Sequence, residues 1–246
     1  MITIRTGKDN SQRDFTIYEK VIRASSEFFD NALKGPWRES TERVVELPEF
    51  AGMHFAMYHR WVLTGQLCSM TDLVDPLPAA TSKRHEQTYR LYREVLVLKS
   101  LTHLGHYLRD TNFTDTVNDA LLQCTTELQS HGVAFPNSYG LVFYKVIPEG
   151  SPTRLLIADL VAWTTCAKGM RGLRNHRDAR FDKDEHADFI MDVLESVTNR
   201  FMSATPSTSP LEGWETSCKY HSHGDDKPCY RNKTKTYVTV PFGSRD

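Results

Sequence analysis

Between Ile2 and Gly65 the spacing of apolar side chains switches twice between the period of a strand and that of a helix, and this restricts the chain to a mixed fold. "ITIRTG" and "DFTIYE" alternate with a period of two and predict strands. "EKVIRASSEFFDNAL" then places Val21, Ile22, Ser25, Phe28, Phe29 and Leu33 at helical spacing, which predicts a single amphipathic helix stopped by Gly35 and Pro36. "RVVELPEF" returns to strand character and ends at Pro48. "GMHFAMYHRWVLTG" follows as a helix with Phe55, Tyr58, Trp61 and Val62 on its face and Gly65 at its end. Phe28, Phe29 and Trp61 are expected to be structural.

After a Pro-rich connector, "MTDLVDPLPAATSKRHE", the pattern is helical. Tyr89 to Leu108 carries Leu91, Val95, Leu98 and Leu108 on one face. "FTDTVNDALLQCTTEL" carries Phe113, Val117, Ala120, Leu121, Cys124 and Leu128, and the two predict a helical hairpin joined at "RDTN". "NSYGLVFYKVI" has strand composition but sits among helices, and its place favours helix. "SPTRLLIADLVAWTTCA" opens with a Ser-Pro start signal, and "DKDEHADFIMDVLESVTNRF" presents Phe189, Ile190, Val193, Leu194, Val197 and Phe201 on one face. "SATPSTSP" reads as a linker, with the tail from Leu211 expected to stand apart from the helical body. The expected organisation is an α+β domain over residues 1–130, a helical extension over 131–204, and a linker with a Cys/His-containing tail over 205–246.

The 246 residues carry 30 basic and 31 acidic side chains, a formal net charge of -1, so no global field draws nucleic acid or anionic lipid. The start "MITIRTGKDNSQRDF" lacks the apolar core of a secretory signal, and no apolar run approaches a membrane span. An intracellular protein, cytoplasmic or nuclear, is expected, with its five cysteines reduced and the sequons at Asn112 and Asn232 without meaning.

The first half resembles the BTB/POZ family, and in particular its many fungal members. "FTIYEKVIRASSEFFDNALKGPWRES" is similar to that family's F-x-V-H-K-x-x-L-x-x-x-S-x-F-F with a following acidic E-S. "VVELPEF" and "FAMYHRWVLTGQL" follow in the family's order, the latter similar to its W-L-Y-T-G. "LYREVLVLKSLTHLGHYLRDTNFTDTVNDALL" resembles the helical pair that closes the fold. More loosely, "SPTRLLIADLVAW" and a tail with Tyr-His-x-His and Cys are similar to the C-terminal region of fungal members. Tyr18 stands where the family usually has His, and Leu63 where it usually has Tyr. The resemblance implies a BTB/POZ fold with a helical extension, acting as an interaction module or adaptor that pairs with itself or with a cullin-type ubiquitin-ligase scaffold, and not an enzyme.

The chain has no nucleophile elbow, phosphate-binding Gly loop or zincin motif. "DKDEHADFIMDV" fails as a calcium loop, because Ala187 replaces the turn Gly and Val193 the bidentate Glu. Cys124 and Cys166 lie in apolar helical stripes as small hydrophobes. His103, His106 and Asp110 share a helical spacing compatible with metal binding, against the simpler reading of a wet helix face. Arg171, Arg174, Arg177 and Arg180 form a basic cluster, and Lys227, Arg231, Lys233 and Lys235 interleave with aromatics. Both feed an alternative function, a zinc-stabilised nucleic-acid-binding or transcription-associated protein. The sharpest candidate is "CKYHSHGDDKPC". Cys218, His221, His223 and Cys229 offer two thiols and two imidazoles, a donor set for one structural Zn2+ in a small hairpin, with "TKTYVTVPF" as its returning strand.

Overall fold

The computed structural model describes residues 1–69, 83–164, 183–202, 208–224 and 227–232. The fold is α+β and mostly helical, with one three-stranded sheet in the order β2-β1-β3. Strand β1 (Ile2–Thr6) pairs antiparallel with β2 (Arg13–Ile17), setting Ile2 opposite Ile17 and Ile4 opposite Phe15. On its other edge β1 pairs parallel with β3 (Val44–Leu47), with Ile4 opposite Val45. The period-two pattern fixes this register, because Ile2, Ile4 and Thr6 all bury on one face and a one-residue slip would turn them to water. Across the hairpin Arg5 grips Asp14 with two hydrogen bonds of 2.9 and 3.0 Å.

The helix expected from Glu19 to Leu33 is two helices, α1 (Glu19–Ser25) and α2 (Glu27–Lys34). Ser26 breaks it. Its backbone is extended (φ -126°, ψ 124°), its hydroxyl oxygen accepts from Phe29 N, and the hydroxyl donates to Leu108 O at 2.6 Å. Both groups that Ser26 serves are helix-terminal backbone atoms lacking intrahelical partners, so one residue satisfies a donor and an acceptor. A short helix α3 (Arg38–Glu42), which the sequence pattern did not announce, leads into β3. Helix α4 (Gly52–Thr64) ends where Gly65 takes φ 72°, and Gly65 N donates to Trp61 O.

Helices α5 (Lys83–Leu108) and α6 (Thr111–Ser130) form the expected hairpin, and every apolar residue singled out on their two stripes is buried. Helix α5 begins at Lys83, within the expected connector. Then come α7 (Asn137–Tyr144), α8 (Pro152–Thr164) and α9 (Lys183–Met202). "NSYGLVFY" is thus helical, and Pro152 opens α8 where its missing N–H costs nothing. Residues Cys166, Arg171, Arg174, Arg177, Arg180, Lys233 and Lys235, and "TKTYVTVPF", lie outside the described residues.

The chain divides into two compact units. The first takes the described parts of Met1–Asp72, Ser100–Val117 and His223–Asp246, and the second those of Leu73–Lys99 and Asn118–Ser222. The first unit centres on Tyr58, which packs edge-on against Phe113 (4.8 Å between ring centres), near Phe55 and Trp61, and donates its hydroxyl to Asp110 Oδ2 at 3.0 Å. Phe29 and Trp61 are buried, while Phe28 is half-buried against Phe29 and Tyr107. In the second unit α7, α8 and α9 pack together at Gly140, where a Cβ would fall 2.7 Å from the Phe189 ring. Phe189 and Val193 of α9 are buried, but Ile190, Leu194 and Phe201 are exposed, so the expected apolar face is only half covered.

Replacing Ser26 by Ala removes the α2 cap and leaves Leu108 O without this buried donor. The expected loss is about 1–3 kcal/mol of unfolding free energy. Denaturant titration of Ser26→Ala beside Ser25→Ala, a neighbour with no capping bond, checks it.

Candidate metal centre

The described residues 208–221 do not stand apart from the helices. Tyr220, His221, Cys229 and Tyr230 are buried, and three consecutive residues of the segment bond to α6 and α8. Lys219 Nζ and Tyr220 Oη both donate to Asp159 Oδ2, at 2.8 and 2.7 Å, and Asn118 Nδ2 donates to Tyr220 O at 2.7 Å. Burial, with Asp159 beside it, pushes the Tyr220 phenol well above its ordinary pKa, so it stays a donor. The described backbone of the segment, residues 208–224 and 227–232, runs in turns and bends, with His221 N donating to Cys218 O and Asn232 N to Cys229 O, both at 3.0 Å, and Gly224 at φ 65°; the expected returning strand lies outside the described residues.

These turns, and not strand alternation, gather the donor atoms. One ligand atom each from Cys218, His221, His223 and Cys229 lies within 4.8 Å of all the others, and the group could hold a metal ion. Neither Cys218 nor Cys229 is in a disulfide, so both thiols remain available. Tetrahedral coordination with metal–sulfur and metal–nitrogen bonds of about 2.3 and 2.0–2.1 Å sets ligand atoms roughly 3.3–3.8 Å apart, so closure needs shifts of order 1 Å.

The hydrogen bonds also select which imidazole nitrogen can ligate. His221 Nε2 lies 3.0 Å from Asp119 Oδ1, and a carboxylate only accepts, so Nε2 carries the proton and Nδ1 the lone pair. His223 Nδ1 faces Gly224 O at 2.5 Å, which leaves Nε2 as its lone-pair nitrogen. A ligating histidine is oriented in this way, by a carboxylate or carbonyl on its other nitrogen. Cys218 is exposed and the other ligands are wholly or partly buried, so one edge of the centre meets solvent.

The sequence missed Asn118, Asp119 and Asp159. A signal existed in α6, where Asp115, Asn118 and Asp119 stand at i, i+3 and i+4 amid an apolar helix. Their tail partners, far along the chain, could not be read from local spacing.

His103, His106 and Asp110 do not form such a group. Asp110 is fully buried and caps α6, accepting from Phe113 N at 3.0 Å as well as from Tyr58. His103 packs against the Phe50 ring, and His106 Nε2 is buried without a hydrogen-bond partner among the described residues. The chain matches no family model and no curated protein. Among the described residues, no helix is long and apolar enough to cross a membrane.

Burial pushes the Asp110 carboxyl up to about 7 and His106 down to about 4. Asp110 therefore favours folding most below its ordinary value of 3.8, and that contribution is lost as pH rises through about 7. His106 acts oppositely, contributing above its ordinary 6.5 and losing that contribution as pH falls through about 4. The two offset each other over the same window. Relative to the parent, His106→Gln should lose melting temperature as pH rises from about 4 to 7, and Asp110→Asn should gain it. Thermal scans of the three proteins across that range check the signs.

Proposed function

We propose that the chain is a protein-interaction module of the BTB/POZ type that pairs with a second copy of itself, and that the Cys/His cluster holds one structural Zn2+. The observation that carries the interaction reading lies on α9. Ile190, Leu194 and Phe201 are exposed and Val197 half-buried, and their positions follow the four-three-four spacing of a coiled-coil seam. Exposed apolar rows of this length mark docking surfaces in soluble domains. A second copy is the occupant this row fits, since a heptad seam is self-complementary and a two-fold axis brings the same patch together. Support for the BTB/POZ type comes from the arrangement along the stretches that carry the resemblance. These are a central β1 antiparallel to β2 and parallel to β3, a broken helix pair α1 and α2, then α4 and a closing helical hairpin.

The zinc reading rests on donor chemistry. Two thiolates and two neutral imidazoles are a soft-to-borderline set suited to Zn2+ and poorly suited to calcium or magnesium, which take oxygen ligands. Four protein ligands would close the tetrahedron and leave no position for substrate, so the ion serves structure.

Light scattering of the full chain at tens of micromolar should give twice 28.2 kDa, and Leu194→Glu should give the monomer at an unchanged melting temperature. A parent monomer overturns self-pairing. A dimer that survives Leu194→Glu removes α9 as its seam. For the metal, elemental analysis of protein purified without chelator should find one zinc per chain in the parent and none in a Cys218→Ser, Cys229→Ser double variant. Zinc absent from the parent, or equal in both, overturns that reading.

A further inference from the structure

We infer that Asp119 couples the metal centre to helix α6, so that zinc binding and the docking of Lys219, Tyr220 and His221 on α6 and α8 are one event. This deepens the zinc reading above and rests on it.

Asp119 lies on α6. Its side chain is 5 % exposed and that of His221 1 %, and they meet at 3.0 Å between Oδ1 and Nε2. A carboxylate inside an apolar helix pair is costly unless a donor satisfies it, and His221 is a donor supplied from far along the chain. The pairing decides the chemistry at the other end of the ring. With Nε2–H held by Asp119, Nδ1 is the nitrogen left to ligate, and the carboxylate fixes the orientation of the ring. A cation at Nδ1 in turn polarises Nε2–H towards Asp119 and strengthens that hydrogen bond. Metal and helix thus pull on opposite sides of one imidazole.

The neighbouring contacts extend this coupling beyond the imidazole. Asn118, beside Asp119 on α6, donates to the carbonyl of Tyr220, the residue before the ligand His221. Tyr220 and Lys219 then reach Asp159 on α8, whose other oxygen accepts from Ser196 on α9 at 2.5 Å. The His221 ring therefore sits at the end of a bonded run extending from α6 through the tail to α8 and α9. The polar groups on α6 that receive the tail, Asn118 and Asp119, are both buried, and the tail supplies a hydrogen-bond partner to each. By linkage, whatever strengthens docking raises metal affinity by the same factor, and the reverse. Asp119 is a positioning residue here, acting on the metal through His221.

The test uses the full chain and Zn2+ alone, added to protein stripped with chelator and followed by competition with a chromogenic chelator. Asp119→Ala should weaken zinc binding about 10–100-fold, and Asp119→Asn, which keeps an acceptor of the same shape without the charge, should lose less. In Co2+-loaded protein the ligand-field absorption should move in Asp119→Ala, a signature that simple loss of helix packing would not give. Hydrogen exchange supplies the docking readout. Stripping zinc from the parent should raise exchange in peptides covering 214–224 and in α6 around Asn118 to Leu122. In Asp119→Ala, saturating zinc should fail to restore that protection. A parent that binds no zinc overturns the zinc reading itself. A parent that binds zinc, with unchanged affinity, spectrum and exchange in both Asp119 variants, leaves that reading intact and overturns the coupling. If Asp119→Ala does not fold, Asp119→Asn carries the same comparisons.

Discussion

Buried carboxylates govern how the rest of this chain is arranged. Asp110, Asp115 and Asp119 lie at or within the first three turns of α6, all essentially out of water, together with Thr114, Asn118 and Thr125. An unsatisfied carboxylate in such surroundings would cost several kcal/mol, comparable to the whole stability of a domain. Asp110 and Asp119 each fix something else in place. Asp110 holds the Tyr58 hydroxyl and caps the helix, which sets the aromatic cluster of α4. Asp119 holds His221 and so decides where the Cys/His segment lies. Removing either partner would leave a buried carboxyl group short of a hydrogen bond as well as break a contact.

Polar atoms at helix ends act in the same way on a smaller scale. The apolar spacing from Val21 to Leu33 is compatible with one helix, yet Ser26 divides it. Its hydroxyl satisfies a donor of α2 and the last carbonyl of α5 together, two bonds that a continuous helix would forgo. Periodicity reports which face is buried, and is silent about a hydroxyl that has a better partner far along the chain. Helix α9 shows the complementary limit. Its stripe is real, but among its apolar residues only Phe189 and Val193 are buried by the described residues, and the exposed remainder is the surface on which the interaction reading stands.

The two functional readings occupy different parts of the molecule and have different physical bases. In the interaction reading the apolar row on α9 would gain by excluding water against another copy. In the zinc reading a bound ion would replace many weak tail contacts with a few strong bonds. A short stretch of turns stays folded more readily when a metal, or a buried hydrogen bond such as that between Asp119 and His221, ties it down.

What the sequence determined by itself is what local spacing can carry. The period-two and helical stripes were enough for the strands, the hairpin of α5 and α6 with its buried faces and the Gly65 stop, and the run of Cys and His was enough to single out Cys218, His221, His223 and Cys229 as a group that could hold a metal. Those signals arise from residues a few positions apart, whose relative direction the backbone geometry dictates. Only the tertiary structure decided that Ser26 breaks a helix, that the tail folds by turns, that its imidazoles are oriented by Asp119 and Gly224, and that His103, His106 and Asp110 serve packing and capping. Each of these depends on which distant polar group satisfies which buried atom, a choice made by three-dimensional proximity that no local period records.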